Sequence, residues 1–287
     1  MNTKVLFSAE ITDGYSLRNS ISMIKNEQDD ITLLISKKKI CITFLNKGEN
    51  AVHDILINTD DLHEYHYNIA SEEYSITVNT TELLNATKPV GRKDSLKISL
   101  NDGSKKLNIQ PIKSSKNNGR ASVSFISIIN KECIKYDLLS QYDENDAYIK
   151  IQNREFSDIC AQATTQKCNF LEITANGNIV TFKGVLTDGS YGMVSRYVAT
   201  NTNHEEEKIT KVNTGKGQME LNILETEEVS IKLPSNSIKT MAKLHNIAPT
   251  GTELKFIFAA GKPIKIESKI GTYGNYVIYL RNFKTVR

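Results

Sequence analysis

The residues best suited to hold a metal or move a proton are five histidines, His53, His63, His66, His204 and His245. Only His63 and His66 stand close together, in His63-Glu64-Tyr65-His66. Zinc enzymes usually pair histidines at helical spacing and take a third ligand from elsewhere. This pair instead follows Asp60 and Asp61 in a turn-rich stretch, so a surface loop is favoured over a metal site. Gly215-Lys216-Gly217 lacks the rest of a phosphate loop and reads as a hairpin turn. No serine sits in a nucleophile elbow. Cys41, Cys133, Cys160 and Cys168 show no Cys-x-x-Cys spacing. The expectation is a protein that is not an enzyme, with no cofactor and no metal.

Cations at helical spacing are the more informative chemistry. Four segments carry an apolar stripe with an opposite polar face. They are residues 16–26 (Leu17, Ile21, Ile24), 81–88 (Leu83, Leu84, Ala86), 154–166 (Phe156, Ile159, Cys160, Ala163) and 235–247 (Ile238, Met241, Ala242, Leu244). Asn153 and Pro234-Ser235 are expected to start the third and fourth. The first segment holds Arg18 and Lys25, and the second runs into Lys88, Arg92 and Lys93. The third holds Arg154, offset by Glu155 and Asp158. The fourth holds Lys239 and Lys243 at i, i+4, with no acid from 235 to 247. Several basic helical faces fit a surface turned toward phosphates; ordinary solvated charge stays open beside it.

The remaining sequence is dominated by short alternating runs, such as Leu96-Lys97-Ile98-Ser99-Leu100, the pattern of strands with one buried face. Asn46-Lys47-Gly48, Asn101-Asp102-Gly103 and Asp188-Gly189-Ser190 mark turns between them. One plan recurs: Leu96-Lys97-x-x-Leu100-x-x-Gly103 then Leu107-x-Ile109, and Leu254-Lys255-x-x-Phe258-x-x-Gly261 then Ile264-x-Ile266. Each copy follows a helical segment, which points to a duplicated α+β domain. The halves would be 1–129 and 146–287, joined by a polar segment, 130–145, with apolar Ile134, Leu138 and Leu139. Residues 114–119 and 201–207 read as exposed loops.

The chain has 287 residues, 36 basic and 33 acidic, for a formal net charge of +3. That balance identifies no partner by itself. The apolar run at Val5-Leu6-Phe7 is too short for a secretion signal, and no stretch approaches the roughly 20 apolar residues of a membrane span. An intracellular, non-secreted protein with no membrane partner is expected.

These residues resemble sliding clamps of the proliferating-cell-nuclear-antigen (PCNA) type. Asn153-Arg154-Glu155-Phe156-Ser157-Asp158-Ile159-Cys160 is similar to the family's GEFARIC stretch. Gly261-Lys262-Pro263-Ile264-Lys265-Ile266-Glu267-Ser268-Lys269-Ile270 is similar to its VPLVVEYKI strand, and Tyr276-Val277-Ile278-Tyr279-Leu280 to its closing KYYLAP. The likeness runs in order over residues 4 to 283. It implies a ring of three identical subunits with antiparallel sheets outside and four helices per subunit inside. The ring would encircle duplex DNA without reading its sequence. It would act as a processivity factor for replicative polymerase and repair enzymes, loaded by an ATP-dependent clamp loader, in a nucleus or at a viral replication site.

The resemblance also implies site residues. Arg18, Lys25, Lys88, Arg92, Lys93, Arg154, Lys239 and Lys243 would face DNA phosphates. The edges joining subunits would be residues 121–128 and 191–197. Partner proteins carrying PCNA-interacting peptides would insert an apolar plug near Leu45, Val52, Ile134, Tyr136, Leu138, Leu139, Pro263, Tyr279 and Leu280. Departures are plain. Family basic positions fall on Asp158, Ala161, Glu82 and Asn85, and the family's LAP ending reads Leu280-Arg281-Asn282. A clamp-like subunit that does not encircle DNA, or one member of a heterotrimer in checkpoint signalling or viral transcription, is the alternative. An enzyme built around His63 and His66 is the second.

Overall fold

The structure, a computed structural model, describes residues 4–114, 122–131, 142–143, 146–177, 179–198, 210–214, 217–223, 228–259 and 262–280. The chain divides into two compact units: Met1–Tyr136 with Lys269–Val277, and Asp137–Ser268 with Ile278–Arg287.

The first unit runs β1 (Val5–Ile11), α1 (Gly14–Glu27), β2 (Asp30–Ser36), β3 (Lys39–Leu45), β4 (Ala51–Asn58), β5 (Glu64–Tyr67), β6 (Glu73–Asn79), α2 (Thr80–Thr87), β7 (Ser95–Asn101), β8 (Lys106–Ile112) and β9 (Ser124–Ile129). The second runs β10 (Ala147–Gln152), α3 (Asn153–Thr165), β11 (Phe170–Asn176), β12 (Ile179–Val185), β13 (Tyr191–Val198), β14 (Thr210–Thr214), β15 (Gly217–Asn222), β16 (Glu228–Pro234), α4 (Ser235–Met241), β17 (Glu253–Phe258), β18 (Ile264–Ile270) and β19 (Gly274–Leu280). Residues 269–277 belong to the first unit, where the first part of β19, Gly274–Val277, lies beside β4.

Alternation sets the strands. In β2, Ile31, Leu33 and Ile35 are buried, while the residues between them are only half-covered. In β7 the buried set is Leu96, Ile98 and Leu100. A one-residue slip would turn either set to solvent, so the pattern fixes the register.

The duplication is visible in the pairing. β1 lies between β5 and β7, and β10 lies between β15 and β17. β2 lies between β3 and β6, and β11 between β12 and β16. The repeated leucines take the same place: Leu96 opposes Ile11 on β1, and Leu254 opposes Ile151 on β10. Gly103, at a φ of 70°, makes the β7–β8 turn. This is the left-handed region glycine enters without a Cβ penalty. Its repeat partner Gly261 lies outside the described residues.

Each unit packs two helices together, α1 with α2 and α3 with α4. Leu17, Ile21, Met23 and Ile24 bury one side of α1. Asp13 caps its start by accepting from the Ser16 amide at 3.0 Å, and Asn79 caps α2 through the Thr81 and Glu82 amides. α3 buries Phe156, whose ring meets Phe256 edge-on at 5.1 Å and Phe182 at 6.2 Å. A fully buried ring of this kind contributes about 1.5–3 kcal/mol relative to exposure.

Asn153 starts α3, as expected, with Gln152 in the cap position. Two expectations change. The helix expected over 235–247 is shorter. α4 ends at Met241, and a separate 3-10 turn covers Leu244–Asn246. The His63–His66 region is not all loop: Glu64–Tyr67 is strand β5, paired with β1. Ile134, Leu138 and Leu139 of the connecting segment lie outside the described residues. So do residues 115–119 and 201–207 of the expected loops.

Candidate functional site

Among the described residues neither histidine nor cysteine chemistry is assembled. His66 is exposed on β5, with its Nε2 3.0 Å from Glu64, and among the described residues no metal-ligating cluster forms. Burial pushes the Cys41 thiol up to about 11, far from the thiolate a nucleophile needs. His53 and Cys160 are fully enclosed. His204 and Cys133 lie outside the described residues.

Charge on the helix-bearing side of the first unit is concentrated after α2. Lys25 is exposed in the last turn of α1, and Lys88, Arg92 and Lys93 are exposed around the loop at residues 88–94. Glu82 is the exposed acid of α2. Arg18 is only half-exposed: its Nη1 donates to the Val90 carbonyl at 2.9 Å. Its guanidinium also lies over the Tyr15 ring, 5.6 Å from the centroid, and Arg92 lies over the same ring at 5.8 Å. Asn19 first, then Arg92, hold the Tyr15 phenol below the ordinary tyrosine range. Sequence reasoning placed Arg18 among the phosphate contacts. It missed Tyr15, because nothing in the sequence says which ring two arginines separated by 74 positions will share.

In the second unit the cations divide between the helices. Lys239 is exposed on α4, and Lys243 is exposed just past its end. Neither pairs with an acid among the described residues. Arg154, in the first turn of α3, is exposed but leans on Asp158 at 3.6 Å. Such an exposed pair is weak and easily broken by a competing phosphate. His245, beside this pair, is held below the ordinary histidine range by desolvation and then by the Arg154 charge.

Among the described residues, two of the open strand edges carry most of the exposed apolar side chains. β13 is the outer strand of the four-stranded sheet β13-β12-β11-β16. β9 pairs β8 along residues 124–127, but it meets β6 only at Ile128 and Ile129. Its other side along 124–127 has no strand among the described residues. The large apolar side chains exposed along these two segments are Val123 at 41%, Phe125 at 62%, Tyr191 and Val194 at 55%, and Val198 at 50%. Only Val5 is added to that set in the rest of the described chain. Edge strands with apolar side chains are aggregation hazards unless covered.

The residues assigned to a partner peptide are distributed as follows. Leu45 and Val52 are half-buried cross-strand partners on β3 and β4. Pro263 accepts a bond from the Tyr142 hydroxyl at 2.7 Å, and Tyr279 packs against the Tyr142 ring at 6.0 Å. Tyr279 and Leu280 are buried. Ile134, Tyr136, Leu138 and Leu139 lie outside the described residues.

The two helix pairs and their antiparallel sheets form the α+β fold of PCNA-type clamps. The solved structure of PCNA from Entamoeba histolytica is similar with a TM-score of 0.75 at 15% identity, covering 97% of this chain and 100% of that one. A chain of the PCNA2–PCNA3 complex from Sulfolobus tokodaii is similar with a TM-score of 0.73 at 15% identity, covering 96% and 98%. No family model matches the sequence, and no curated protein sequence matches it. Among the described residues no helix is long and apolar enough to cross a membrane.

Proposed function

We propose that this protein is a DNA sliding clamp: three copies close head to tail into a ring that encircles duplex DNA and tethers polymerase and repair enzymes to it. The observation that carries this reading is the matched pair of open apolar edges. In the duplicated plan β4 corresponds to β13 and β19 to β9. Inside the first unit β4 already has the first part of β19, Gly274–Val277, beside it. Their counterparts β13 and β9 each keep one side open among the described residues, β13 beyond β12 and β9 along residues 124–127, so the same pairing repeated between copies would satisfy both. A head-to-tail contact of this kind makes a closed ring when its rotation closes.

The clamp's action is topological. A ring around DNA cannot leave sideways, so a weakly held enzyme stays at high effective concentration. The chain supplies positioning and charge rather than catalysis, and an ATP-dependent loader would open it. Lys25, Lys88, Arg92, Lys93, Arg154, Lys239 and Lys243 would make phosphate contacts, which carry no sequence information and permit sliding. Client peptides would dock near Leu45, Val52, Pro263, Tyr279 and Leu280 with the connecting segment. An intracellular site of action follows from the DNA partner.

The test is retention on DNA. The protein is loaded on closed circles, which are then linearised. A clamp is lost through the free ends, whereas a protein holding DNA by contacts alone stays; retention after linearisation would refute encirclement. A heteromeric ring is the second reading, favoured by the likeness to a chain from a PCNA2–PCNA3 complex. Sedimentation of the isolated protein separates the two, since a heteromeric subunit would run as a single chain at micromolar concentration.

A further inference from the structure

The loop at residues 88–94, Lys-Pro-Val-Gly-Arg-Lys-Asp, is tied down at Pro89, Val90, Gly91 and Asp94. Val90 N–H donates to the Thr87 carbonyl at 3.0 Å, and Asp94 N–H to the Gly91 carbonyl at 3.1 Å. The Asp94 carboxylate accepts from Gly91 N–H at 2.7 Å, Lys113 Nζ at 2.7 Å and Ser114 N–H at 3.3 Å. Its carbonyl accepts from Gly14 N–H at 3.1 Å, which fastens the loop to the start of α1. Two further carbonyls are each covered by a cation from elsewhere. Lys113 Nζ donates to Pro89 at 2.6 Å, and Arg18 Nη1 to Val90 at 2.9 Å.

These bonds have an electrostatic consequence. The carbonyl oxygens of Pro89, Val90, Gly91 and Asp94, which would repel an approaching anion, are already engaged, and the loop's one acid is neutralised by Lys113. Asp94 is held below the ordinary carboxylate range, first by its bond from Lys113. The remaining cations, Lys88, Arg92 and Lys93, are exposed and have no acid partner among the described residues. Arg92 is steadied over the Tyr15 ring. An exposed cation usually loses side-chain freedom on binding, and a fixed backbone beneath it lowers that cost.

We propose that the loop at residues 88–94 is a preorganised phosphate-binding element for duplex DNA, in which Lys88, Arg92 and Lys93 touch phosphate oxygens while Arg18, Lys113 and Asp94 hold the loop in shape. This rests on the clamp reading and refines it. The first unit grips through a loop rather than through α2, whose surface offers Glu82 and Asn85. Arg18 becomes a positioning residue that acts through Val90.

The experiment is fluorescence-anisotropy binding of the full chain to a short mixed-sequence DNA duplex, between about 50 and about 200 mM salt. Removing one phosphate-binding cation lowers the slope of log K against log salt by roughly 0.9. The triple variant Lys88→Gln, Arg92→Gln, Lys93→Gln is expected to lower the slope by roughly 2 to 3. These side chains are exposed, so the fold should survive. Arg18→Gln alone is expected to weaken binding. Added to the triple variant it should change nothing further, because the loop it supports no longer contacts DNA. A triple variant with an unchanged slope would overturn the proposal. So would a further drop of roughly 0.9 on adding Arg18→Gln, which would make Arg18 a contact in its own right. If the unaltered protein shows no salt-dependent binding and no retention on circles, the clamp reading falls as well. If it is retained on circles while the triple variant keeps its slope, only the loop proposal falls.

Discussion

His53 Nδ1 lies 2.6 Å from the Tyr276 hydroxyl, a buried bond between β4 and β19 within the first unit. Phe44 stacks on the imidazole at 4.9 Å, and Nε2 has no hydrogen-bond partner among the described residues. Burial therefore pushes the His53 pKa down to about 3. The folded state holds His53 neutral, whereas the unfolded chain protonates it near the ordinary value of about 6.5. Its contribution is complete above the unfolded value and is lost as pH falls toward the folded one. Each pH unit in that window costs up to about 1.4 kcal/mol. Denaturant titrations of the unaltered protein should show this decline on acidification, beside that of other groups. His53→Gln should remove the His53 share of the slope, while costing about 1–3 kcal/mol at neutral pH for the disturbed Tyr276 hydroxyl. Equal slopes in both proteins would exclude His53 as the titrating group.

The same strand pair depends on a glycine. A Cβ built on Gly274 would stand 2.3 Å from the Leu56 carbonyl oxygen, a backbone atom that cannot rotate away. Tyr273, one residue earlier, accepts from Asn58 N–H at 2.9 Å, so the backbone here is fixed from both sides. Gly274→Ala should lower stability by about 1–3 kcal/mol through overpacking. Gly103→Ala should cost about 1 kcal/mol, because its open turn demands only the positive φ. A guanidinium unfolding series would order the two, and an undisturbed Gly274→Ala would show that β19 can shift away from β4.

On α4, Lys239 and Lys243 stand exposed and unopposed, while Arg154 on α3 is partly engaged by Asp158. Reversing Lys239 and Lys243 to Glu should shorten retention on closed circular DNA. The slope of log K against log salt should fall by roughly 2 if both touch phosphate. Asp158→Ala should act in the opposite direction by freeing Arg154. Retention that is unchanged in the Lys239→Glu, Lys243→Glu variant would remove α4 from the DNA surface.

How far the sequence carried is clearest at single positions. The alternation in 96–100 located β7, and the Leu96–Leu254 offset located the duplication. Both are periodic local signals, which survive folding unchanged. The fourth helix was overextended because Leu244 and Ile247 keep the apolar spacing across a break at Ala242, where the backbone tightens into a 3-10 turn. β5 was missed because its four residues alternate only weakly between half-buried and exposed. The pinning of the loop at 88–94 was not legible at all. Arg18 to Val90 spans 72 positions, and Lys113 to Asp94 spans 19. Such bonds depend on tertiary placement, which composition and spacing do not encode.

The proposed head-to-tail assembly makes an unusual demand on mutants of the two apolar edges. Phe125 on β9 and Val194 on β13 are exposed apolar side chains on different edges. A carboxylate placed at either would be buried without a partner on assembly, at a cost of about 3 kcal/mol or more, over a hundredfold in association. On the ring proposal, Phe125→Asp and Val194→Asp should therefore each sediment as single chains at concentrations where the unaltered protein assembles. Mixed together they should form a two-chain species and stop there. Phe125→Asp still offers an intact β13, Val194→Asp still offers an intact β9, and only that one junction can form. An isologous contact gives a different pattern. If β13 paired with β13, Phe125→Asp would associate with itself and mixing would add nothing. Sedimentation of the two variants, alone and mixed, thus reads the direction of the contact as well as its existence.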